Sequence, residues 1–159
     1  MIRGIHHVAL STPDLAGSVK FYQEAFGFEV VIESGWEVGS EWVDTIVGLK
    51  DSSCSQAIMK AGNMYIELFE YRTPTPEPLR EGNPVNNHGY THFCVDVVDI
   101  EAEYERLSKL GVKFHCPPGP AGEMGGGKIR ATYGRDPFNN VIEIQEVFDA
   151  HNDMYLNVD

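Results

Sequence analysis

The chain has 159 residues, a length that fits one domain or two small modules around a common core. Its 24 Asp and Glu outnumber 12 Lys and Arg, and a net charge of −12 with no basic cluster argues against nucleic acid and anionic membranes as partners. The longest apolar run is too short to cross a bilayer, and the first residues lack the basic-then-apolar pattern of a secretion signal. The cysteines Cys54, Cys94 and Cys116 are odd in number and read as reduced thiols, so a cytoplasmic location is expected.

Residues 5–11 alternate as a strand, with Ile5, His7, Ala9 and Ser11 on one face and His6, Val8 and Leu10 on the other. Pro13 disfavours helix at Thr12, and Asp14 is an N-cap for a helix carrying Leu15, Val19, Tyr22 and Phe26 and closing at Gly27. Residues 28–33 form the next expected strand. Residues 34–54 mix Gly, Ser and acids with Trp36, Trp42 and Ile46; they read as irregular, either a lid or packing at the end of the sheet. Strands follow at 55–60 and 63–71, joined at Ala61-Gly62-Asn63. Pro74, Pro76, Pro78 and Pro84 mark 72–87 as an extended linker.

The same order then returns: a strand at 89–96, a helix at 99–110 ending at Gly111, and a strand at 112–115. The Gly/Pro-rich stretch 117–127 lacks the spacing and context of a phosphate loop and reads as a flexible flap. Strands at 128–135 and 140–147 flank a turn at 136–140, and 148–159 is a polar tail, mobile or draped over a partner. The expected organisation is a βαβββ module over 1–71, the linker over 72–87 and a second βαβββ module over 88–147. The fold class is α+β, two tandem modules forming a cupped mixed sheet around a metal site.

His7 and His92 each stand seven residues before an aspartate, Asp14 and Asp99, and each module carries a glutamate on its last strand, in MYIELFEY and NNVIEIQE. A lone strand histidine is usually structural. A His and a Glu repeated together point instead to four ligands, His7, Glu67, His92 and Glu143, for one divalent ion. Glu67 and Glu143 lie between apolar neighbours, as buried and paired carboxylates do. His6 falls on the other face and reads as structural; His88, His115 and His151 have no counterparts. Cys94, on the His92 face, reads as an apolar filler. Tyr65, Phe69 and Tyr71 share the Glu67 face and Tyr90 the His92 face, as an aromatic wall for substrate.

The segments HHVALSTPDLAGSVKFYQEAFGFEVV, GYTHFCVDVVDIEAEYERLSKLGVKF and GRDPFNNVIEIQE resemble the vicinal oxygen chelate superfamily, in its glyoxalase I-like or methylmalonyl-CoA epimerase-like branch. The superfamily also includes extradiol dioxygenases and the bleomycin- and fosfomycin-resistance proteins. The resemblance places metal ligands on the first and last strand of each module, at His7, Glu67, His92 and Glu143. It implies one ion such as Ni, Co, Zn, Mn or Fe. Glutathione-binding glyoxalases carry an Arg and an Asn where this chain has Ser11 and Tyr71, which argues against glutathione chemistry and assigns both residues to another substrate.

The resemblance implies a metal-dependent isomerase, epimerase or lyase acting on a small molecule with two chelating oxygens. A proton would move next to the carbonyl through an enediolate, with Glu143 or Glu67 as base. Two alternatives stand beside it: a non-haem Fe(II) ring-cleaving dioxygenase, and a non-catalytic binding or resistance protein. Relatives of this kind also imply a homodimer.

Overall fold

The structure is a computed structural model and describes residues 1–80 and 82–157. Glu81 of the expected linker, and Val158 and Asp159 of the expected tail, lie outside the described residues. The chain forms two compact units, Met1–Pro78 and Leu79–Asp159. Each has its own mixed sheet and helix, in the α+β class expected. Among the described residues no helix is long and apolar enough to cross a membrane.

Unit 1 contains β1 (His7–Ser11), α1 (Leu15–Phe26), β2 (Glu29–Trp36), α2 (Glu41–Val47), β3 (Ser53–Ala61) and β4 (Met64–Thr73). Its four strands lie in the order β1-β4-β3-β2, with β1 parallel to β4 and the other pairs antiparallel. Strand alternation sends Leu10, Ala57, Met59, Ile66 and Leu68 to the face that α1 covers with Phe21, Tyr22 and Ala25, and all are buried. At the start of α1 the Asp14 carboxylate accepts from Gly17 N–H at 2.9 Å. At its end Gly27, at φ +67°, closes the helix in the left-handed conformation.

Unit 2 contains β5 (Phe93–Asp96), α3 (Ile100–Lys109), β6 (Lys113–Phe114), β7 (Gly122–Met124), β8 (Gly127–Arg135) and β9 (Val141–Val147). Its strands run β5-β9-β8-β6, with β7 paired to β8. Ile142, Ile144 and Val147 of β9 join Ile100 and Leu107 of α3 in the core.

Several boundaries and local forms differ from the sequence reading. β1 begins at His7, so Ile5 and His6 precede it, and β5 begins at Phe93, so His92 stands just before the strand. Residues 34–54 are ordered: β2 runs on to Trp36, whose indole N–H donates to Ser52 Oγ at 2.8 Å, and α2 follows. The α2 turn is fastened by Asp44, whose carboxylate accepts from the backbone N–H of Asp51 and Ser52, both at 2.9 Å. Trp42 and Ile46, one turn apart on α2, are exposed.

The second part of the stretch 117–127, expected as a flexible flap, pairs as the β7–β8 hairpin, and the residues after β9 are fastened to it. The buried Asn152 side chain donates to Met124 O and accepts from Met154 N–H, both at 2.8 Å, and Asp153 N–H donates to Gly125 O. One amide that uses both its ends holds a polar segment in place without an apolar core.

Candidate metal and proton-transfer site

The open face of the unit 1 sheet, opposite α1, carries the residues singled out from the repeat. On β1 and β4 the register sets His7 beside Tyr65 and Ala9 beside Glu67, so both functional side chains emerge on one face. His7 Nε2 lies 3.2 Å from Glu67 Oε2. The His7 ring is held from behind by a contact between its Nδ1 and His6 Nδ1 at 3.0 Å. With the proton on Nδ1 and donated to His6, Nε2 is left with its lone pair. The His6 ring stacks on Tyr65 with centroids 4.9 Å apart.

Unit 2 repeats the arrangement. His92 Nε2 lies 3.0 Å from Glu143 Oε2, and His92 Nδ1 meets Thr91 Oγ1 at 2.8 Å. The Tyr133 ring packs on the imidazole at 4.7 Å. Cys94 is the register partner of Glu143 on β5 and hydrogen bonds to its carboxylate. Cys94 is exposed in surface area, but desolvation of its sulfur by the surrounding sheet first, and then the Glu143 charge, pushes the thiol above its ordinary range and favours the protonated form.

The Glu67 and Glu143 side chains are 13% and 15% exposed, so each carboxylate is mostly withdrawn from water and depends on local partners. Burial and the Glu146 carboxylate together raise the pKa of Asp96, further along β5, whose buried Oδ1 has no hydrogen-bond partner among the described residues.

The aromatic residues divide between the units. Phe69 and Tyr71 form an edge-to-face cluster with Trp36, centroids 5.7–6.1 Å apart. Ser11 is exposed and in register with Phe69 on the same face. Burial raises the Tyr71 phenol. Tyr90, before β5 in unit 2, is exposed. Ser11, Tyr65, Phe69 and Tyr71 therefore flank the His7–Glu67 pair, while Tyr90 belongs to the unit of His92.

Among the described residues, no three His, Cys, Asp or Glu side chains gather as a ready cation cluster; the four candidates stand as two pairs, one in each unit. The donor set nevertheless fits a divalent ion. Each pair sets an imidazole Nε2 within 3.2 Å of a carboxylate oxygen, and N/O donors of this kind suit Mn, Fe, Co, Ni or Zn. The Nδ1 contacts to His6 and Thr91 are of the kind that orient ligating imidazoles.

Two groups at the site escaped the sequence reading. Gln56 donates a hydrogen bond from its amide to Glu67 Oε1, and Tyr133 faces His92. Neither belongs to the repeated His and Glu pattern. The signal for Gln56 was strand parity, since Gln56 and Ile58 alternate with the buried Ala57 and Met59.

The Glyoxalase/Bleomycin resistance protein/Dioxygenase superfamily profile matches residues 4–144, and the chain belongs to that superfamily. It is 29% identical over 117 residues to a 2-epi-5-epi-valiolone epimerase of an Actinomyces species, covering 72% of this chain and 63% of that protein. The chain thus spans a little less than two thirds of that relative. It is 25% identical over 154 residues to an ethylmalonyl-CoA/methylmalonyl-CoA epimerase of Cereibacter sphaeroides, covering 92% and 100% of the two chains. A glyoxalase family protein of Bacillus cereus shares the fold, with TM-score 0.77 and 24% identity over 92% of this chain and 95% of that one.

Proposed function

We propose that the chain is a metal-dependent enzyme of glyoxalase type, an isomerase, epimerase or lyase, that moves a proton on the carbon next to a chelated carbonyl. The observation that carries this reading is the pair of matched His–Glu contacts, His7 with Glu67 and His92 with Glu143. The two epimerases among its relatives support the reaction class.

In this reading His7, Glu67, His92 and Glu143 serve one ion. When bound, a divalent cation supplies Lewis acidity to a carbonyl oxygen and so lowers the pKa of the neighbouring C–H. The chain's own residues do the rest. In this reading each imidazole carries its proton on Nδ1, where His6 or Thr91 Oγ1 accepts it, and so presents the Nε2 lone pair forward. Glu143 accepts the substrate proton and returns it, its carboxylate being largely shielded from water that would compete for the same proton. Ser11, Tyr65, Phe69, Tyr71 and Tyr90 bind the substrate body, their rings offering apolar faces. The working form in this reading is a homodimer, checked by sedimentation.

The test begins with protein purified without chelator, which should carry about one divalent ion per chain. Solvent-deuterium exchange is then followed by NMR over α-carbonyl acids, hydroxyketones such as 2-epi-5-epi-valiolone, and methylmalonyl thioesters. Exchange into one substrate class is expected, with Glu143→Gln slowing it by more than roughly a hundredfold. Fe(II)-dependent turnover that consumes stoichiometric dioxygen would overturn the proposal in favour of ring cleavage.

A further inference from the structure

A line of polar groups crosses all four strands of the unit 1 sheet on its open face. Ser34 on β2 donates from Oγ to Gln56 Oε1 on β3 at 2.9 Å. Gln56 Nε2 donates in turn to Glu67 Oε1 on β4, and Glu67 Oε2 faces His7 Nε2 on β1 at 3.2 Å. Each member has a defined direction. The Glu67 carboxylate, which accepts, takes the amide nitrogen of Gln56, and the amide oxygen at the other end is anchored on β2 by the Ser34 hydroxyl. The amide N–H can only donate, and it occupies one oxygen of Glu67. The remaining oxygen is left toward His7.

Unit 2 provides the internal comparison. Ile58 is the register partner of Glu67 on β3, and Gln56 stands two residues before it. Tyr133 is the register partner of Glu143 on β8, and the residue two before it is Ala131. A methyl group cannot donate. Among the described residues, the Glu143 carboxylate meets the His92 imidazole and the Cys94 thiol, a weak donor, and its charge is felt by the Tyr133 phenol across the strand pair; no amide is among them. The duplicated frame thus holds one carboxylate by an oriented amide and leaves its counterpart without one.

We infer that Gln56, oriented by Ser34, is a positioning residue that fixes Glu67 as the stationary carboxylate of the metal site. This rests on the metal-site reading above, and it accounts for assigning proton transfer to Glu143. Gln56 touches neither substrate nor ion; it acts through Glu67, by holding one oxygen so that the other is presented in a single orientation.

The test is titration of the intact chain with Mn(II) alone, followed by the loss of the free-ion EPR signal, with thermal midpoints measured in parallel. Wild type should bind about one ion per chain. Gln56→Leu should weaken Mn(II) binding by about 10–100-fold, the usual cost of losing a group that orients a ligand. Ser34→Ala should fall between the two, because the amide keeps its N–H for Glu67 but loses the hydroxyl that holds its oxygen in place. Ser34→Thr, which keeps the hydroxyl, should match wild type. Should Gln56→Leu fail to fold, the contrast between Ser34→Ala and Ser34→Thr at the exposed end of the line decides the matter. Binding within twofold of wild type in both Gln56→Leu and Ser34→Ala would overturn this role and leave the metal site standing. No Mn(II) uptake by wild type would overturn the metal site itself and this role with it.

Discussion

His7 and His6 are neighbours in sequence with different duties. His7 presents Nε2 to Glu67, whereas His6 precedes β1, stacks on Tyr65 and meets the rear nitrogen of His7. Removing His7 deletes a proposed ligand; removing His6 only loosens it. We expect His7→Ala to lower Mn(II) affinity by well over roughly a hundredfold and His6→Ala by about tenfold at most, measured by the same titration. The reverse order would move the ligand role to His6. The pairing of His7 with Glu67, and of His92 with Glu143, was legible because side chains alternate along strands and because the motif occurs twice. Gln56 was not singled out, because its counterpart Ala131 breaks the repeat; strand parity placed it on the open face but did not mark it as a partner of Glu67. The backing given to His92 by Thr91 was equally silent, since a neighbour in sequence is ordinarily expected on the opposite face.

Each helix is pinned at its start by the last strand of its own unit. Glu70 on β4 accepts from Leu15 N–H at 2.8 Å, and Glu146 on β9 accepts from Asp99 and Ile100 N–H at 2.9 and 3.1 Å. These glutamates occupy the same place in IELFE and IEIQE, three residues after Glu67 and Glu143. One glutamate of each strand therefore faces the site and the next serves the helix, a division set by strand parity and the break after it. A carboxylate on unpaired N–H groups at a helix N-terminus is favourable both as an acceptor and as a charge. Glu70→Ala and Glu146→Ala should each cost about 1 kcal/mol, in the range of a lost cap. Thermal melts should show this as a midpoint roughly 2–4 °C lower for each. A melt unchanged in both would show the caps to be energetically idle. The helices α1 and α3 were readable from apolar spacing and from Asp14 and Asp99. Helix α2 was not: it has seven residues, and no side chain caps its Ser40 start. Its fastening comes from Asp44 reaching forward to Asp51 and Ser52, a contact that no periodicity announces.

The whole chain reads as one pattern used twice, with a local departure in each copy. The α+β class and the repeated order of strands and helix followed from hydrophobic period and from punctuation by Gly and Pro. The sheet order β1-β4-β3-β2 did not, because parallel pairing of the first strand with the last is a non-local choice that one sequence does not display. If the two pairs serve one ion, neither pair suffices alone, and damage to either should be equivalent. We expect His7→Ala and His92→Ala each to reduce bound metal from about one ion per chain to near none, with the double variant no worse than either single one, as groups acting as a unit behave. Metal analysis of the three proteins, with thermal melts to confirm folding, checks this; half occupancy in each single variant would show two independent sites.

The boundary at Pro78 and Leu79 also has a meaning in time. Every strand of unit 1, together with Glu70 that pins its helix, lies in the first 73 residues. Synthesis runs from the N-terminus, and domains that close on themselves can fold while the remainder is being made. The polypeptide emerging from the ribosome thus holds both His7 and Glu67 before His92 has been added, and the second pair is complete only when Glu143 follows.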